Sequence, residues 1–579
     1  MPSPVIQSSG GDRRILAIRI LAILALACVA ALAAIASVVQ TGRPQPVAEA
    51  PGEGMQCLSY APFRDAADTP FDPRTRVTRE RIEADLKVLS QRTGCVRTYS
   101  ISQGLDAVPD VAASLGMEVL LGAWLSRDRL ANAVELQRAI ALARQHPSTV
   151  RALVVGNEVM LRRELPEHEL EQALQQARAQ AGVPVTYADV WEFWLRHRGL
   201  AASVDFVTVH ILPYWEDEPV GIDRAVEHVH DIYRRMQDEL PGKELLIGET
   251  GWPSAGRARL AAQPGRVEQA RFMREFVAMA HAERIPYNLI EAFDQPWKRR
   301  LEGAMGGHWG VFDSAGQVKF PWHGPVAEDP GWRTGIWSGM LGAACFGLAT
   351  LLRSRRRALP SPTAVATGAT GDAAASAASA AAAAAAASVM LASMLAGAAT
   401  GILLFMQWRY LQVWNREAVE WAATAPFLLA TAPFAWLGLL DALHRLGACP
   451  PLALAADRAI RWLEPLRIMF LFGAAVNVVL LVFDSRYRGF PIVFFLVPAA
   501  VELMRILAGQ AAVVSREVRL LSTLVAVGAA CVLLLETPAN REAVVYAVLL
   551  IGYALARTDG RPLRTSASAP SRAPIAAGS

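Results

Sequence analysis

Short apolar runs alternate with longer amphipathic stretches between Cys57 and about Asp313. A repeat near 3.6 residues predicts helices over 78–92, 129–145, 166–181, 222–239 and 267–283, and apolar runs of four to eight residues predict strands. The predicted strands begin near Cys57, Cys95, Met117, Val150, Val183, Val204, Glu244 and Tyr287. Eight strand–helix units in about 260 residues predict an α/β fold of the (β/α)8 TIM barrel type. An open doubly wound sheet is the alternative, but it seldom has eight evenly spaced units, and no glycine-rich phosphate turn follows the first strand.

Beyond the barrel the pattern changes to long apolar stretches. Residues 335–352 are apolar and end in a run of arginines at 353–357, and further apolar stretches cover 388–407, 422–441, 467–483, 491–508, 520–536 and 543–556. About 20 apolar residues cross a bilayer, and basic residues favour its cytoplasmic side. With residues 20–39 the chain has eight predicted spans and both ends inside. The aromatic side chains predicted to form a belt at the outer face are Trp408, Tyr410, Trp414 and Trp421.

The first apolar stretch, 20–39, comes after Arg13, Arg14 and Arg19. It is read as a transmembrane anchor or as a signal peptide cleaved after the small residues at 34–36, and both readings export the residues that come after it. The predicted division of the chain is an anchor or signal at 1–40, a Pro/Gly/Ala linker at 41–54 and a periplasmic barrel at 55–330. A span with a basic stop follows at 331–357, then an Ala-rich cytoplasmic linker at 358–387, a multi-span membrane domain at 388–557 and a cytoplasmic tail at 558–579.

Composition agrees with this division. A hydrophobic content of 53% is too high for one soluble globule. The net charge of +4 is small and is not gathered into a patch, so a nucleic-acid partner is not expected. Only Cys57 and Cys95 of the six cysteines lie in the predicted exported part, where they form a disulfide or two buried thiols. Glu502 and Arg505, one helical turn apart within a predicted span, are interpreted as a snorkelling ion pair.

Two glutamates carry the chemistry. Glu158 ends the apolar run 154–158, and Glu249 ends the run 245–249, which count as the fourth and seventh strands. Side chains at the carboxyl ends of barrel strands form the catalytic rim. Two carboxylates there can flank a glycosidic bond, one as acid/base and the other as nucleophile. Asn157 is suited to bind the sugar 2-hydroxyl. For either glutamate alone, a structural strand-end acid that caps a helix or pairs with Arg is the better interpretation, whereas the two together with their flanking residues favour the catalytic one.

The flanking residues resemble a known family. Gly-Asn-Glu at 156–158 and Gly-Glu-Thr-Gly-Trp-Pro-Ser at 248–254 resemble the acid/base and nucleophile motifs of family 17 glycoside hydrolases, the β-1,3-glucanase and glucanosyltransferase family. Residues 290–298 and 308–312 look like its last-strand and post-barrel motifs. The resemblance covers roughly 55–322 and implies that Glu158 is the acid/base and Glu249 the nucleophile. Many plant members carry acids where Gln295 and Gly306 stand here, although Glu302 is near.

The remaining candidate site residues are strand-end or motif residues, for which rim packing is the alternative to sugar contact. Aromatic faces suit the apolar faces of glucose rings, and Asp, Arg and amide groups bind hydroxyls. Glu291 and Lys298 are expected to share a supporting electrostatic role. The predicted substrate-binding residues are Asn157, Tyr60, Arg97, Tyr99, Trp124, Tyr187, Asp189, His210, Tyr214, Trp252, Glu291, Asp294, Trp297 and Lys298. No metal or other cofactor is expected.

The predicted function is that of a multi-pass protein of the bacterial inner membrane with a periplasmic, retaining β-glucan transglycosylase domain. Its partners would be a β-glucan, membrane lipid and a glucan synthase or export complex. The arrangement is similar to bacterial membrane proteins of periplasmic β-(1→3),(1→6)-glucan synthesis. A tethered endo-β-1,3-glucanase uses the same catalytic residues and stays open. So does a catalytically silent scaffold that binds glucan, while few intramembrane charges and no evident repeat disfavour a transporter.

Overall fold

The computed structural model describes residues 10–52, 54–65, 67–355, 372–446, 461–536 and 538–558. Parts of most of the predicted segments therefore lie outside the described residues. The largest of these parts are 356–371, which include Arg356, Arg357 and the first part of the Ala-rich linker, and 559–579, which are nearly all of the tail.

The barrel has the predicted topology. Eight strands pair in parallel and in chain order, and β8 closes on β1. Their bounds are β1 Leu58–Ser59, β2 Cys95–Arg97, β3 Glu118–Ala123, β4 Val150–Asn157, β5 Val185–Val190, β6 Val207–His210, β7 Leu245–Thr250 and β8 Tyr287–Leu289. The TIM-barrel prediction is confirmed, and each strand begins within three residues of its predicted start.

Helices cover the outside of the barrel. The N-terminal helix α1 spans Gly10–Gly42, and the barrel helices are α2 Arg79–Leu89, α3 Val108–Ser114, α4 Arg129–Gln145, α5 Glu167–Gln180, α6 Trp191–Arg196, α7 Ile222–Glu239, α8 Arg266–Glu283 and α9 Arg299–Glu302. Asp128 begins α4 because its carboxylate accepts hydrogen bonds from the backbone N–H groups of Leu130 and Ala131. The sequence did not predict α3, α6 or α9, which are too short to show a helical period.

The core of the barrel is apolar, and the two cysteines of the predicted exported part are bonded to each other. Val96, Val119, Leu121 and Val155 are among the fully buried strand residues. Cys57 and Cys95, at the starts of the neighbouring first two strands, form a disulfide. Of the two alternatives predicted for these cysteines, the structure contains the disulfide and not two buried thiols.

The rest of the chain is helical: α10 Trp332–Arg355, α11 Asp372–Trp414, α12 Ala418–Arg445, α13 Leu463–Phe483, α14 Ile492–Leu507, α15 Arg516–Glu536 and α16 Arg541–Thr558. The Ala-rich segment is helical from Asp372 and continues directly into the next predicted span. Six described helices are long and apolar enough to cross a membrane, namely α1, α10, α11, α12, α13 and α15. The 16-residue α14 and the 18-residue α16 lie at the other two predicted spans, so a count of eight stays a prediction.

One expectation about this helical half is wrong. Glu502 and Arg505 pair at 2.7 Å, but both are buried and do not reach the surface as a snorkelling pair would. Glu502 also meets Arg467 at 2.9 Å and Arg557 at 3.5 Å. These arginines come from the neighbouring helices α13 and α16, so the charges form a buried network that joins three helices. Spacing along one helix shows only the pair, because the other partners come from elsewhere in the chain.

Candidate active site

Glu158 and Glu249 meet across the mouth of the barrel. Glu158 directly follows β4, and Glu249 lies at the end of β7. One carboxylate oxygen of each, together with a ring nitrogen of His210 from β6, all lie within 4.8 Å of one another. Three segments that are far apart in sequence therefore converge on one point at the carboxyl ends of the strands.

The backbone turns sharply at the first glutamate. Gly156 has φ +82° and Glu158 has φ +54°, a left-handed conformation that is uncommon for residues other than glycine. The Glu158 N–H donates to the carbonyl of Ala188 on β5 at 2.7 Å. This bond holds the turn against the next strand, and the Glu158 side chain, 22% exposed, lies in the cleft.

Glu249 is held through one of its two oxygens. Its Oε1 accepts from Arg97 Nη1 at 3.0 Å and lies 2.9 Å from the Tyr99 hydroxyl. His210 Nε2 is 3.6 Å from the same oxygen. Among the described residues, the hydrogen bonds that fix this carboxylate all converge on Oε1. Oε2 is thereby left for a reacting atom.

Arg97 and His210 link the two glutamates through buried hydrogen bonds. Arg97 Nη2 donates to Asn157 Oδ1 at 2.6 Å, and Arg97 Nη1 donates to the Gly248 carbonyl at 2.7 Å. His210 Nδ1 is 3.0 Å from Glu158 Oε1, while its Nε2 is 3.3 Å from Arg97 Nη1. Because arginine can only donate, Nε2 accepts and Nδ1 carries the proton that bonds Glu158.

The environment of Glu158 favours its charged form when the cleft is empty. Burial raises its pKa, but the hydrogen bond from His210 and the positive charges of Arg162 and Arg97 outweigh burial and lower the pKa below its ordinary value. To act as an acid, Glu158 must hold a proton. A bound sugar that excludes water from the cleft raises its pKa, because the group is then less solvated and the negative charge of Glu249 is less screened.

The cluster of Glu158, His210 and Glu249 also has the donor types of a metal site. Spacing along the sequence gave no sign of it, because the three residues come from three strands. Arg97 already places a positive charge against Glu249 and bonds Asn157 at its other nitrogen. A cation is therefore not needed to balance the buried carboxylate.

A cleft of about 710 Å³ surrounds the two glutamates, which is within the range of ~300–1,000 Å³ typical of ligand sites. Of the predicted site residues, eight line it: Tyr60, Tyr99, Trp124, Asn157, Glu158, Glu249, Trp297 and Lys298. Trp124 and Trp297 are half-buried and give the cleft aromatic surfaces. Apart from Tyr60, which is fully buried, these side chains are in place to contact a sugar.

The other eight predicted residues lie behind the cleft surface: Arg97, Tyr187, Asp189, His210, Tyr214, Trp252, Glu291 and Asp294. Tyr187 donates to Asp189, whose Oδ2 accepts from the backbone N–H of Met160 at 3.2 Å. Burial, with the charge of Glu158 adding to it, raises the pKa of Asp189 to about 6. This pair orients the turn after β4, so its contacts support a positioning role in place of sugar binding.

Tyr214, Trp252 and Asp294 also support the cleft from inside the fold. Tyr214 donates to the carbonyl of Arg257 and packs edge-to-face on Trp252 and Trp309. Asp294 accepts from Lys319 Nζ at 2.8 Å and from the backbone N–H of Gly310 at 2.9 Å. The bulky or charged side chains at these strand ends therefore fix the loops that follow β7 and β8.

A buried ion pair, Lys298 with Glu291, lies near Glu249. Lys298 Nζ donates to Glu291 Oε2 at 2.7 Å, and both side chains are nearly or fully buried. Burial raises the pKa of Glu291 to about 7 even though Lys298 opposes it. Burial and the charges of Glu158 and Glu249 likewise raise the pKa of Glu302, a cleft residue, to about 7. The cleft thus holds carboxyl groups that change charge near neutral pH.

Sequence reasoning missed several cleft residues because they lie on loops or helix faces. Glu135 on α4 accepts from Ser100 Oγ at 2.6 Å and Ser102 Oγ at 2.7 Å, which fixes the loop after β2. Arg162 lies over the Trp124 ring at 4.1 Å. Trp215, Phe71 and Leu301 add apolar surface. The only usable signal was the polar-aromatic composition of the loops after β1, β4 and β6.

A parallel eight-stranded barrel with two carboxylates this close at the carboxyl ends of its strands has the architecture of a glycosidase. Residues 57–310 match the BtgE/BtgC glycoside hydrolase domain. That segment is a family 17-like glycoside hydrolase domain, and the family predicted from the motifs is confirmed.

Individual relatives are distant. The chain is 24% identical over 261 residues to a glucan 1,3-beta-glucosidase of Saccharomyces cerevisiae. This match covers 41% of this chain and 83% of the yeast protein. It is 26% identical over 268 residues to the probable beta-glucosidase btgE of Aspergillus fumigatus, covering 45% and 46% respectively. Among solved structures, it is similar to an active-site mutant of the Rhizomucor miehei beta-1,3-glucanosyltransferase in complex with laminaritriose. The identity is 24% and the TM-score 0.41, covering 48% of this chain and 98% of that one.

Proposed function

We propose that this protein is a membrane-anchored, retaining β-glucan transglycosylase that acts on β-1,3-glucan. Glu158 is its acid/base and Glu249 its nucleophile. The observation that carries the proposal is the approach of the two carboxylates to within 4.8 Å. Retaining glycosidases hold their carboxyl groups about 5–5.5 Å apart, whereas inverting enzymes need about 6.5–9.5 Å to admit a water molecule.

The contacts divide the two roles. Glu249 is held at Oε1 by Arg97 and the hydroxyl of Tyr99, which leaves Oε2 to attack the anomeric carbon. As the C–O bond to the leaving sugar breaks, Glu158 gives its proton to the leaving oxygen and a glycosyl ester forms on Glu249. Glu158, now a carboxylate, takes the proton of an incoming hydroxyl whose oxygen attacks the anomeric carbon and releases Glu249. An incoming sugar hydroxyl gives transfer, and water gives hydrolysis.

Substrate and reaction type rest on different support. The printed names of the similar proteins include 1,3-beta-glucosidases and a beta-1,3-glucanosyltransferase, which makes β-1,3-glucan the first substrate to test. Aromatic surfaces at Trp124, Trp215 and Trp297 in the cleft suit the apolar faces of glucose rings. We favour transfer, with β-1,6-branch formation among its products, because a polymer-building role suits a tethered enzyme.

The location is the second part of the proposal. We propose a multi-pass protein of the bacterial inner membrane, and six described apolar helices of sufficient length support the membrane part of this proposal. The barrel touches the ends of α11, α13 and α15, and also the connections that follow them. Those ends lie on one side of the helical half. Basic residues favour the cytoplasmic side of the membrane, which assigns the arginines at 353–357 to that side. The barrel lies at the opposite ends of the helices, on the periplasmic side. A glucan synthase or exporter is the proposed protein partner.

The test uses the full chain in lipid nanodiscs with linear β-1,3-gluco-oligosaccharides, and products are read by mass and by linkage NMR. We expect products longer than the substrate, with retention of the β configuration, and none from Glu249→Gln. Glu158→Gln should lose transfer from natural oligosaccharides by ~10²–10⁴-fold. It should keep formation of the glycosyl ester from a dinitrophenyl glucoside, whose leaving group needs no proton.

Two other functions stay as outcomes of this test. Only shorter products with the same retention identify a tethered endo-β-1,3-glucanase. No reaction on any β-glucan, combined with measurable binding, identifies a silent scaffold and refutes the catalytic proposal.

A further inference from the structure

One wall of the cleft is built from two loops that pack on each other. We call residues 254–258 after β7 and 296–309 after β8 the cleft wall. The Ser254 N–H donates to the His308 carbonyl at 2.9 Å. Gly256, with φ +127°, lies so near Met305 that an added Cβ would come 2.6 Å from the Met305 side chain. Because this contact leaves no room for a side chain at Gly256, the two loops are packed directly against each other.

This wall faces the substrate. Trp297, Lys298, Leu301, Glu302 and Trp309 all line the cleft. Its position therefore sets the width of the cleft beside the two catalytic carboxylates. Loops of this kind are ordinarily the mobile parts of a barrel.

Arg257 ties the first loop to the helical half. Its guanidinium donates to the carbonyls of Ser485 and Arg488, between α13 and α14, and pairs with Glu536 at the end of α15. Asn540, between α15 and α16, bonds Glu536 at 2.9 Å and donates to the Ala258 carbonyl at 3.1 Å. Arg257 is only 4% exposed, so this is a buried ion pair with its hydrogen bonds satisfied.

Arg299 ties the second loop to a different connection. Its guanidinium donates to the carbonyls of Val413 at 2.5 Å and Asn415 at 2.9 Å, at the end of α11. The Arg416 guanidinium in turn donates a hydrogen bond to the Arg299 carbonyl at 2.8 Å. Tyr487 packs on Gly303, leaving no room for a side chain there. The wall is thus held at both loops by three connections of the helical half.

We propose that the helical half is a structural part of the glycosidase, and that Arg257 and Arg299 are positioning residues through which it holds the cleft wall against the glucan. Neither side chain lines the cleft, so both act through the wall. The membrane-embedded segment then does more than tether the barrel, because its connections decide how well a long glucan fits. The kinetic part of this inference rests on the function proposed above.

The experiment compares the full-length chain with Arg299→Ala, Glu536→Gln and Arg299→Lys in nanodiscs. Arg299→Ala and Glu536→Gln should raise KM for laminarihexaose at least fivefold and change kcat less than twofold. Arg299→Lys, which keeps the charge and one of the two bonds, should recover part of the loss. Hydrogen exchange should rise at least tenfold in peptides covering 296–309, independently of any activity. Glu536→Gln keeps the side-chain shape and serves if Arg299→Ala does not fold.

Asp329→Asn is the matched control. Asp329 pairs with Arg409 of α11 at 3.6 Å and so also joins the two halves, but it is not part of the cleft wall. It should leave KM and the exchange of 296–309 as in the wild type. If the wall variants behave like this control in both measurements, the proposal is overturned. An inactive wild type would refute the proposed function instead. In that case, hydrogen exchange of 296–309 that is faster in the wall variants than in the wild type would still support the role of Arg257 and Arg299 in holding the cleft wall.

Discussion

Removing the Tyr99 hydroxyl tests how the nucleophile is held. In Tyr99→Phe the ring stays over Arg97, whose guanidinium carbon lies 4.8 Å from the ring centre, so the fold should be kept. The change removes one of the two close donors to Glu249 Oε1, at 2.9 Å, while Arg97 remains at 3.0 Å. A hydrogen bond to a charged group contributes about 1.5–3 kcal/mol. Since Arg97 still orients the carboxylate, the lower half of that range applies.

A loss of about 1.5–2 kcal/mol corresponds to a decrease of about 10- to 30-fold in kcat/KM. We expect most of it in kcat, because the bond orients the attacking group. The assay is the initial rate on laminari-oligosaccharides with the full chain. Tyr60→Phe is the matched control, since Tyr60 also lines the cleft but its hydroxyl bonds Asp85 at 3.1 Å. A Tyr99→Phe rate within twofold of both the wild type and Tyr60→Phe would refute this account of Glu249.

Three further predictions rest on other contacts. Trp124→Ala should raise KM for laminari-oligosaccharides by about tenfold, since stacking a sugar on a half-buried ring contributes ~1.4 kcal/mol; an unchanged KM would place the sugar elsewhere. Glu302→Gln should move the alkaline limb of the kcat profile, which reports the enzyme–substrate complex, to lower pH. The pKa of Glu302 is raised to about 7, so above that pH its negative charge helps Glu158 to keep its proton in the occupied cleft; a limb that stays in place or moves upward would contradict this. Replacing Cys57 and Cys95 together by serine should reduce the free energy of unfolding by about 4 kcal/mol in the chain-entropy model, given their sequence separation of 38. Thermal unfolding of this variant would show it, and a Tm equal to that of the wild type would argue against it.

Local sequence patterns were sufficient to predict the barrel and its two glutamates. Apolar runs at regular intervals predict buried parallel strands, since strands covered on both faces need continuous apolar residues. The motifs at 156–158 and 248–254 lie at the ends of their own strands, β4 and β7, so local pattern was enough to place Glu158 and Glu249 at the mouth. The apolar stretches beyond residue 332 were equally visible, because five of the described helices there contain a continuous apolar stretch long enough to cross a membrane.

The surroundings of those glutamates depend on contacts between distant strands, which local patterns do not show. Arg97, His210 and Glu249 come from β2, β6 and β7, and their contacts depend on strand closure and register, which spacing along the chain does not encode. Half of the predicted site residues lie behind the cleft surface for this reason, while Glu135 and Glu302 reach it from the helices α4 and α9. The bonds of Arg257 and Arg299 join residues more than 110 positions apart. Such long-range polar contacts arise from how two folded halves meet, and a local hydrophobic pattern carries no information about them.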